Sequence, residues 1–196
     1  MTSFAIALVL GLLVLWVVQL APAVRYAATF RNSRPAQIAN ECLPKMCVHF
    51  PLRGADPHLA LAMRSLLNQD YPDFELRIII DSREDPAWEM VPEILRQYQQ
   101  ERDSASEGGG TRCSAVHVTT LREKRRTCSL IGSCLVQFVE ELDDSCTLMA
   151  FADADMVVPP HWLREMASAL VDPKVGTTLG NRWYAPSTAD WGTLVR

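Results

Sequence analysis

The hydrophobic pattern divides the chain into stretches of different character. Residues 4–18 are all apolar or Gly (FAIALVLGLLVLWVV), and the run reaches Val24 without a charged side chain. About 20 apolar residues at ~1.5 Å each match the ~30 Å hydrocarbon layer of a bilayer. Residues 1–24 are therefore predicted to be a transmembrane anchor, and the mixed-polarity residues 25–45 a juxtamembrane linker.

From residue 46 onward short apolar runs alternate with segments of helical period. Residues 46–50 form an apolar run stopped by Pro51 and Gly54, which predicts a strand. Asp56-Pro57 offers an N-cap with Pro in the first turn, ahead of a stripe of Leu59, Leu61, Ala62, Leu66 and Leu67. FELRIII at 74–80 predicts a buried strand, and Asp85-Pro86 repeats the cap signal before Trp88, Val91, Ile94, Leu95 and Tyr98. Residues 101–112 are polar and glycine-rich, a predicted surface loop. A third strand is predicted at 113–119, a helix at 127–142, a fourth strand at 147–152, a helix at 162–170 and a further strand at 175–184. Strands alternating with helices specify βαβ units, hence an α/β domain with a mainly parallel sheet.

Composition fits one such domain behind an anchor: 196 residues, 48% hydrophobic and 21% charged. With 19 basic against 23 acidic residues the chain lacks the basic footprint of a nucleic-acid binder, and no nucleic-acid partner is expected. Arg25, Arg31, Arg34 and Lys45 follow the apolar run against Glu41 alone, and nothing basic precedes it. The positive-inside bias then puts the domain in the cytoplasm, on a single-pass N-terminal anchor. Ala21-Pro22-Ala23 has the small-x-small look of a signal-peptide cleavage site, but the basic n-region is missing. Six cysteines form no Cys-x-x-Cys pair and no zinc spacing, so they are expected to be small buried hydrophobes in a reducing compartment.

Ligands of open α/β sheets bind beyond the carboxyl ends of the strands. The residues in those places are Pro51-Leu52-Arg53-Gly54, then Asp81 to Asp85, then Thr119-Thr120 with Arg122, Lys124, Arg125 and Arg126, and last Asp153-Ala154-Asp155. Acidic and basic groups converging on one edge suit a metal and a phosphate. Asp153 and Asp155 can both reach one hard cation, Mg²⁺ or Mn²⁺, bridging a diphosphate; the competing reading is a solvated turn with Asp capping. Asp81 follows three isoleucines and can accept hydrogen bonds from a nucleobase or ribose, or else open an Asx turn. The basic cluster precedes a helix, whose dipole favours anions there, so it suits a diphosphate or is a solvated surface. His49, His58, His117 and His161 have no metal spacing and are assigned to packing or surface, and Trp162, Trp183 and Trp191 to the core. No Gly-x-Ser-x-Gly elbow, Gly-x-Gly-x-x-Gly loop or P-loop is present.

PLRGADP (51–57), SLLNQDYPDFEL (65–76), IIIDSREDPAW (78–88), LREKRRTCSL (121–130), FADADMVVPPHWL (151–163) and GTTLGNRWYAP (176–186) occur in that order. From about residue 45 to 196 the set resembles the family 2 glycosyltransferases of GT-A fold. Within them it resembles the membrane-bound branch of ceramide glucosyltransferase-like and cellulose synthase-like enzymes. The resemblance implies a Rossmann-like GT-A domain that moves a sugar, with inversion, from a UDP-sugar to an acceptor hydroxyl at the membrane face, a lipid among the candidate acceptors. Carried onto this chain, it makes Asp81 the uridine-recognising residue and Lys124 a basic residue beside the nucleotide. Asp153 and Asp155 become the Asp-x-Asp motif, with Asp155 the direct metal ligand and Asp153 serving both metal and nucleotide. The family's general base, its Gln/Arg-x-x-Arg-Trp segment and further membrane helices are expected beyond Arg196, so 46–196 is read as a C-terminally incomplete donor-binding part. One alternative is a membrane-tethered nucleotide-binding remnant without turnover. Another is a haloacid-dehalogenase-type phosphatase, because Asp153-Ala154-Asp155-Met156-Val157 also fits that signature, with Asp153 as nucleophile.

Overall fold

The computed structural model describes residues 2–32, 38–104 and 113–180, and the chain divides into two compact units, Met1–Ala36 and Gln37–Arg196. The first unit contains one helix, α1 (Thr2–Asn32). Within it Phe4–Arg25 has a mean hydropathy of 2.6 and no buried share, so by length and composition it can cross a membrane. The helix runs on past residue 24 to Asn32, since charge ends an apolar span without ending a helix.

The second unit is a parallel α/β sheet, as expected from the alternation. Its strands are β1 (Met46–Leu52), β2 (Phe74–Ile80), β3 (Cys113–Thr120) and β4 (Leu148–Phe151), in the order β3-β2-β1-β4. Its helices are α2 (Leu59–Leu67), α3 (Ala87–Ser104), α4 (Leu130–Glu140) and α5 (Trp162–Ala169). Every pairing is parallel: Met46 to Leu52 lie opposite Phe74 to Ile80, and Met46 to His49 opposite Leu148 to Phe151. One face of β1 and β2 carries Val48, Phe50, Leu76 and Ile78, which pack with Leu59, Met63, Val91 and Leu163 into the main core. The other face is covered by α4, where Cys47 and Ile79 meet Cys134 and Phe138. On that face His49 is buried between Phe138 and Phe151, with ring centroids 4.7 and 6.1 Å away. Further along it, Glu75 pairs with Lys45 and, at 3.1 Å, with Arg77, and these cations hold its carboxyl below the usual range.

Several boundaries differ from the sequence expectation for identifiable reasons. The first strand continues through Pro51. The carbonyl of His49 points to β4 and that of Leu52 to the β2 side, so alternation turns Pro51 toward β4, which has already ended. A missing N–H therefore breaks no ladder bond there. Asp56 does not cap α2; its carboxylate accepts from the His58 N–H (2.7 Å) in a turn, and the helix begins at Leu59. The fourth helix starts at Leu130 rather than 127, because the Ser129 hydroxyl caps it by accepting from the Gly132 N–H at 3.1 Å. Residues 101–104 belong to α3, and 105–112 lie outside the described residues. Residues 175–180 are in no strand, while 181–184, Trp183 and Trp191 lie outside the described residues. Cys47, Cys113 and Cys134 are buried, and burial pushes their thiols up to about 12, 11 and 11. Cys42 and Cys128 are exposed instead: neither lies on an inward-facing strand or helix position.

Candidate functional site

Parallel pairing points all four carboxyl ends the same way, and the ladder continues one residue past β2, β3 and β4. The Asp81 N–H donates to the Leu52 carbonyl (3.2 Å), Leu121 N–H to Ile80 (2.7 Å) and Ala152 N–H to His49 (3.0 Å). Four loops therefore start from one edge of the sheet, and Asp81, Lys124, Asp153 and Asp155 all sit on them.

The first two loops are joined by Asp85. Gly54 has φ +79°, a left-handed conformation that suits glycine, and its N–H donates to both carboxylate oxygens of Asp85 (3.0 and 2.9 Å). The same carboxylate accepts from the Ala87 N–H at 2.8 Å, capping α3. Beside this latch, Arg53 Nε lies 3.4 Å from Asp81 Oδ2, whose side chain is 23% exposed.

The third loop is basic and is held by α4. Gln137 Oε1 accepts from the Arg122 N–H (2.7 Å), and Ser133 Oγ accepts from the Arg125 N–H (3.0 Å). Arg125 pairs with Glu140 at 2.9 Å, and Arg122 with Glu140 and Glu141 at 3.5 and 3.4 Å. Lys124 and Arg126 are exposed and carry no ion pair to a described residue. A cleft of about 230 Å³ lies between this loop and α4, lined by Arg122, Arg125, Ser133 and Glu140 among others. Pockets for drug-sized ligands run to roughly 300–1,000 Å³, so this loop alone does not enclose a nucleotide.

The fourth loop is acidic. Asp153 and Asp155 are exposed in a turn closed by Met156 N–H to the Asp153 carbonyl (3.1 Å). Its far leg is fastened to the end of α2. Ser65 Oγ accepts from Val158 N–H (3.1 Å), and Gln69, 3% exposed, donates to the Pro159 carbonyl (2.9 Å) and accepts from Leu163 N–H (3.0 Å). Among the described residues no group of three or more His, Cys, Asp or Glu could hold a metal. Two carboxylates nevertheless match Mg²⁺, which takes one or two from protein and completes its shell with substrate phosphates and water.

Sequence reasoning treated Asp85 only as a helix cap and passed over Ser65, Gln69, Ser133 and Gln137. A signal was there: Ser-x-x-x-Gln occurs at 65–69 and again at 133–137, a spacing that puts both polar groups on one helical face. Of the histidines, His49 packs, as assigned. The other three are exposed, with His117 3.6 Å from Glu75 and His161 3.3 Å from Asp70.

Such a site defines an α/β domain whose carboxyl-edge loops, where open sheets of this kind bind ligands, carry both acidic and basic groups. The sequence model of Glycosyl transferase family 21 matches residues 2–126, and the chain belongs to that family. Ceramide glucosyltransferase of Komagataella phaffii is 38% identical over 48 residues, which are 24% of this chain and 9% of that enzyme. The crystal structure of S. aureus TarS 1-349 aligns with a TM-score of 0.45 and 18% identity, over 66% of this chain and 32% of that one. The structure of S. aureus TarS aligns at 0.43 and 17%, over 66% and 20%. The chain thus spans less than two thirds of each relative. The phosphatase alternative does not fit: its Asp-x-Asp motif ends a first strand, whereas Asp153 follows β4, and the family is one of sugar transferases.

Proposed function

We propose that this chain is the donor-binding part of a membrane-anchored, inverting glycosyltransferase that moves a sugar from a UDP-sugar to a hydroxyl acceptor. Its acceptor class is a lipid, the class that the ceramide glucosyltransferase relative is named for. The observation that carries this reading is the shared edge: a carboxylate after β2, free cations after β3 and two carboxylates after β4, in a family 21 chain. Asp81 accepts hydrogen bonds from the uracil once Arg53 gives way. Lys124 supplies positive charge to the diphosphate. Asp153 and Asp155 would hold Mg²⁺ or Mn²⁺, which when bound stabilises the charge developing on the departing UDP. The apolar helix Phe4–Arg25 anchors the domain, with the basic residues after it on the cytoplasmic side.

The test is calorimetric titration of UDP into the full chain in detergent, with and without Mn²⁺, repeated on Asp155→Asn. Binding that needs Mn²⁺ in the wild type and is lost in the variant is expected. The melting temperature should not move, because Asp155 is exposed. Binding indifferent to both metal and substitution would overturn the assignment.

A further inference from the structure

Gln137 is 4% exposed and uses both ends of its amide: Oε1 accepts from the Arg122 N–H (2.7 Å), and Nε2 donates to the Thr120 carbonyl (3.0 Å). Ser133, one turn earlier and 2% exposed, accepts from the Arg125 N–H (3.0 Å) and donates to the Ser129 carbonyl (3.1 Å). Together they fix the backbone on both sides of Glu123 and Lys124. Two of the arginines in the loop are turned back onto α4, Arg125 on Glu140 and Arg122 on Glu140 and Glu141. The cations left facing outward are Lys124 and Arg126. A buried amide is tolerated only when its hydrogen bonds are made, and an apolar residue would serve plain helix packing at 137. What the amide adds is a fixed loop, already ordered before a ligand arrives, so less freedom is lost on binding.

We propose that Gln137 and Ser133 are positioning residues that hold the loop 121–126 so that Lys124, rather than Arg122 or Arg125, meets the diphosphate of a nucleotide ligand. The inference rests on the donor-site reading above. Glu140 acts on the same side, keeping the arginines occupied.

The decisive experiment compares affinity for UDP with affinity for uridine, which lacks the phosphates, in the full chain with Mn²⁺. Gln137→Leu should weaken UDP about tenfold and uridine less than about twofold, the signature of a lost phosphate contact rather than of a lost fold. Ser133→Ala, one missing hydroxyl, should weaken UDP by about threefold and carries the comparison if Gln137→Leu does not fold. Adding Gln137→Leu to Lys124→Ala should weaken UDP no further, because both act through one ammonium. Equal losses for UDP and uridine, additive losses, or unchanged UDP affinity in the folded variants would each overturn the proposal. A wild type that binds uridine but gains nothing from the phosphates also overturns it while sparing the uridine site. A wild type that binds neither removes the donor-site reading and this inference with it.

Discussion

The basic loop after β3 and the acidic loop after β4 face the same edge, and each is fastened by a serine and a glutamine four residues apart. They differ in where the fastening comes from. Ser133 and Gln137 hold backbone groups 8, 15 and 17 residues away, all within reach of α4 itself. Ser65 and Gln69 hold groups 93, 90 and 94 residues away, which come together only when β1, α2 and β4 are assembled. Equal chemistry therefore gives unequal coupling. The basic loop is a local device that can be loosened without touching the rest. The acidic loop is a long-range one, formed after most of the chain entropy has been lost, and its geometry stands or falls with the fold.

The strongest way to break this contrast is Gln69→Leu. It strands the Pro159 carbonyl and the Leu163 N–H at a site 3% exposed, and it also removes the bond to the Ser65 carbonyl. The expected loss is about 4 kcal/mol, read from denaturant or thermal unfolding, with metal-dependent UDP binding failing alongside. A variant that loosened the acidic loop and kept its full stability would make that loop as local as the other.

Acid should act next in size, through His49, which bridges the helix of one loop and the strand of the other. It is 2% exposed, both its ring nitrogens lack a hydrogen-bond partner, and burial pulls its pKa from 6.5 down to about 4. Below the ordinary value the unfolded chain takes up a proton that the folded chain refuses until about pH 4. Stability is thus full above about pH 6.5 and falls toward pH 4, by about 3 kcal/mol in all. The depressed carboxyl of Glu75 adds its own loss from about the ordinary carboxyl value of 4.5 downward, where the unfolded chain takes up a proton that the folded one still refuses. Urea melts between pH 7 and 4.5 should show the slope, and His49→Phe should flatten it. A wild-type profile flat over that range would deny that the seam between α4 and β4 is dry.

The smallest effect sharpens the comparison. Ser65→Ala removes the bond from Val158 N–H and the serine's own donation to the Ala62 carbonyl (2.8 Å), at about 1 kcal/mol. Native-state hydrogen exchange should then speed up at Val158 and through α5 alike. Acceleration confined to Val158 would show that this clamp too is local.

Much of this architecture was legible from the pattern of apolar residues. The second strand was predicted over 74–80 and is Phe74–Ile80, because a strand buried on both faces leaves one continuous apolar run. The carboxyl-edge position of Asp81, Lys124, Asp153 and Asp155 also followed from the alternation alone, since parallel strands leave no other place for the residues that succeed them. Other features depended on facts that no local window contains. Whether Pro51 stops β1 is decided by where β4 ends. The clamp on the acidic loop was hidden for the same reason: a glutamine beside a helix reads as surface, and the partner that buries Gln69 arrives 90 residues later. Here Asp85 is instructive, because its role as cap was readable and its hold on Gly54 was not.

That latch has a bearing on how the sequence can drift. A Cβ built at Gly54 meets nothing within 4 Å, so the position has ample room and excludes other residues only through its backbone. Asparagine, which visits the left-handed region with little penalty, is a passable neighbour in sequence space; valine, stiff at its branch, is not. A lineage that forced a branched residue there would first have to release Asp85. In doing so it would uncap α3 and free the loop beside Asp81 in a single step, so one small residue ties the tolerance of two loops together.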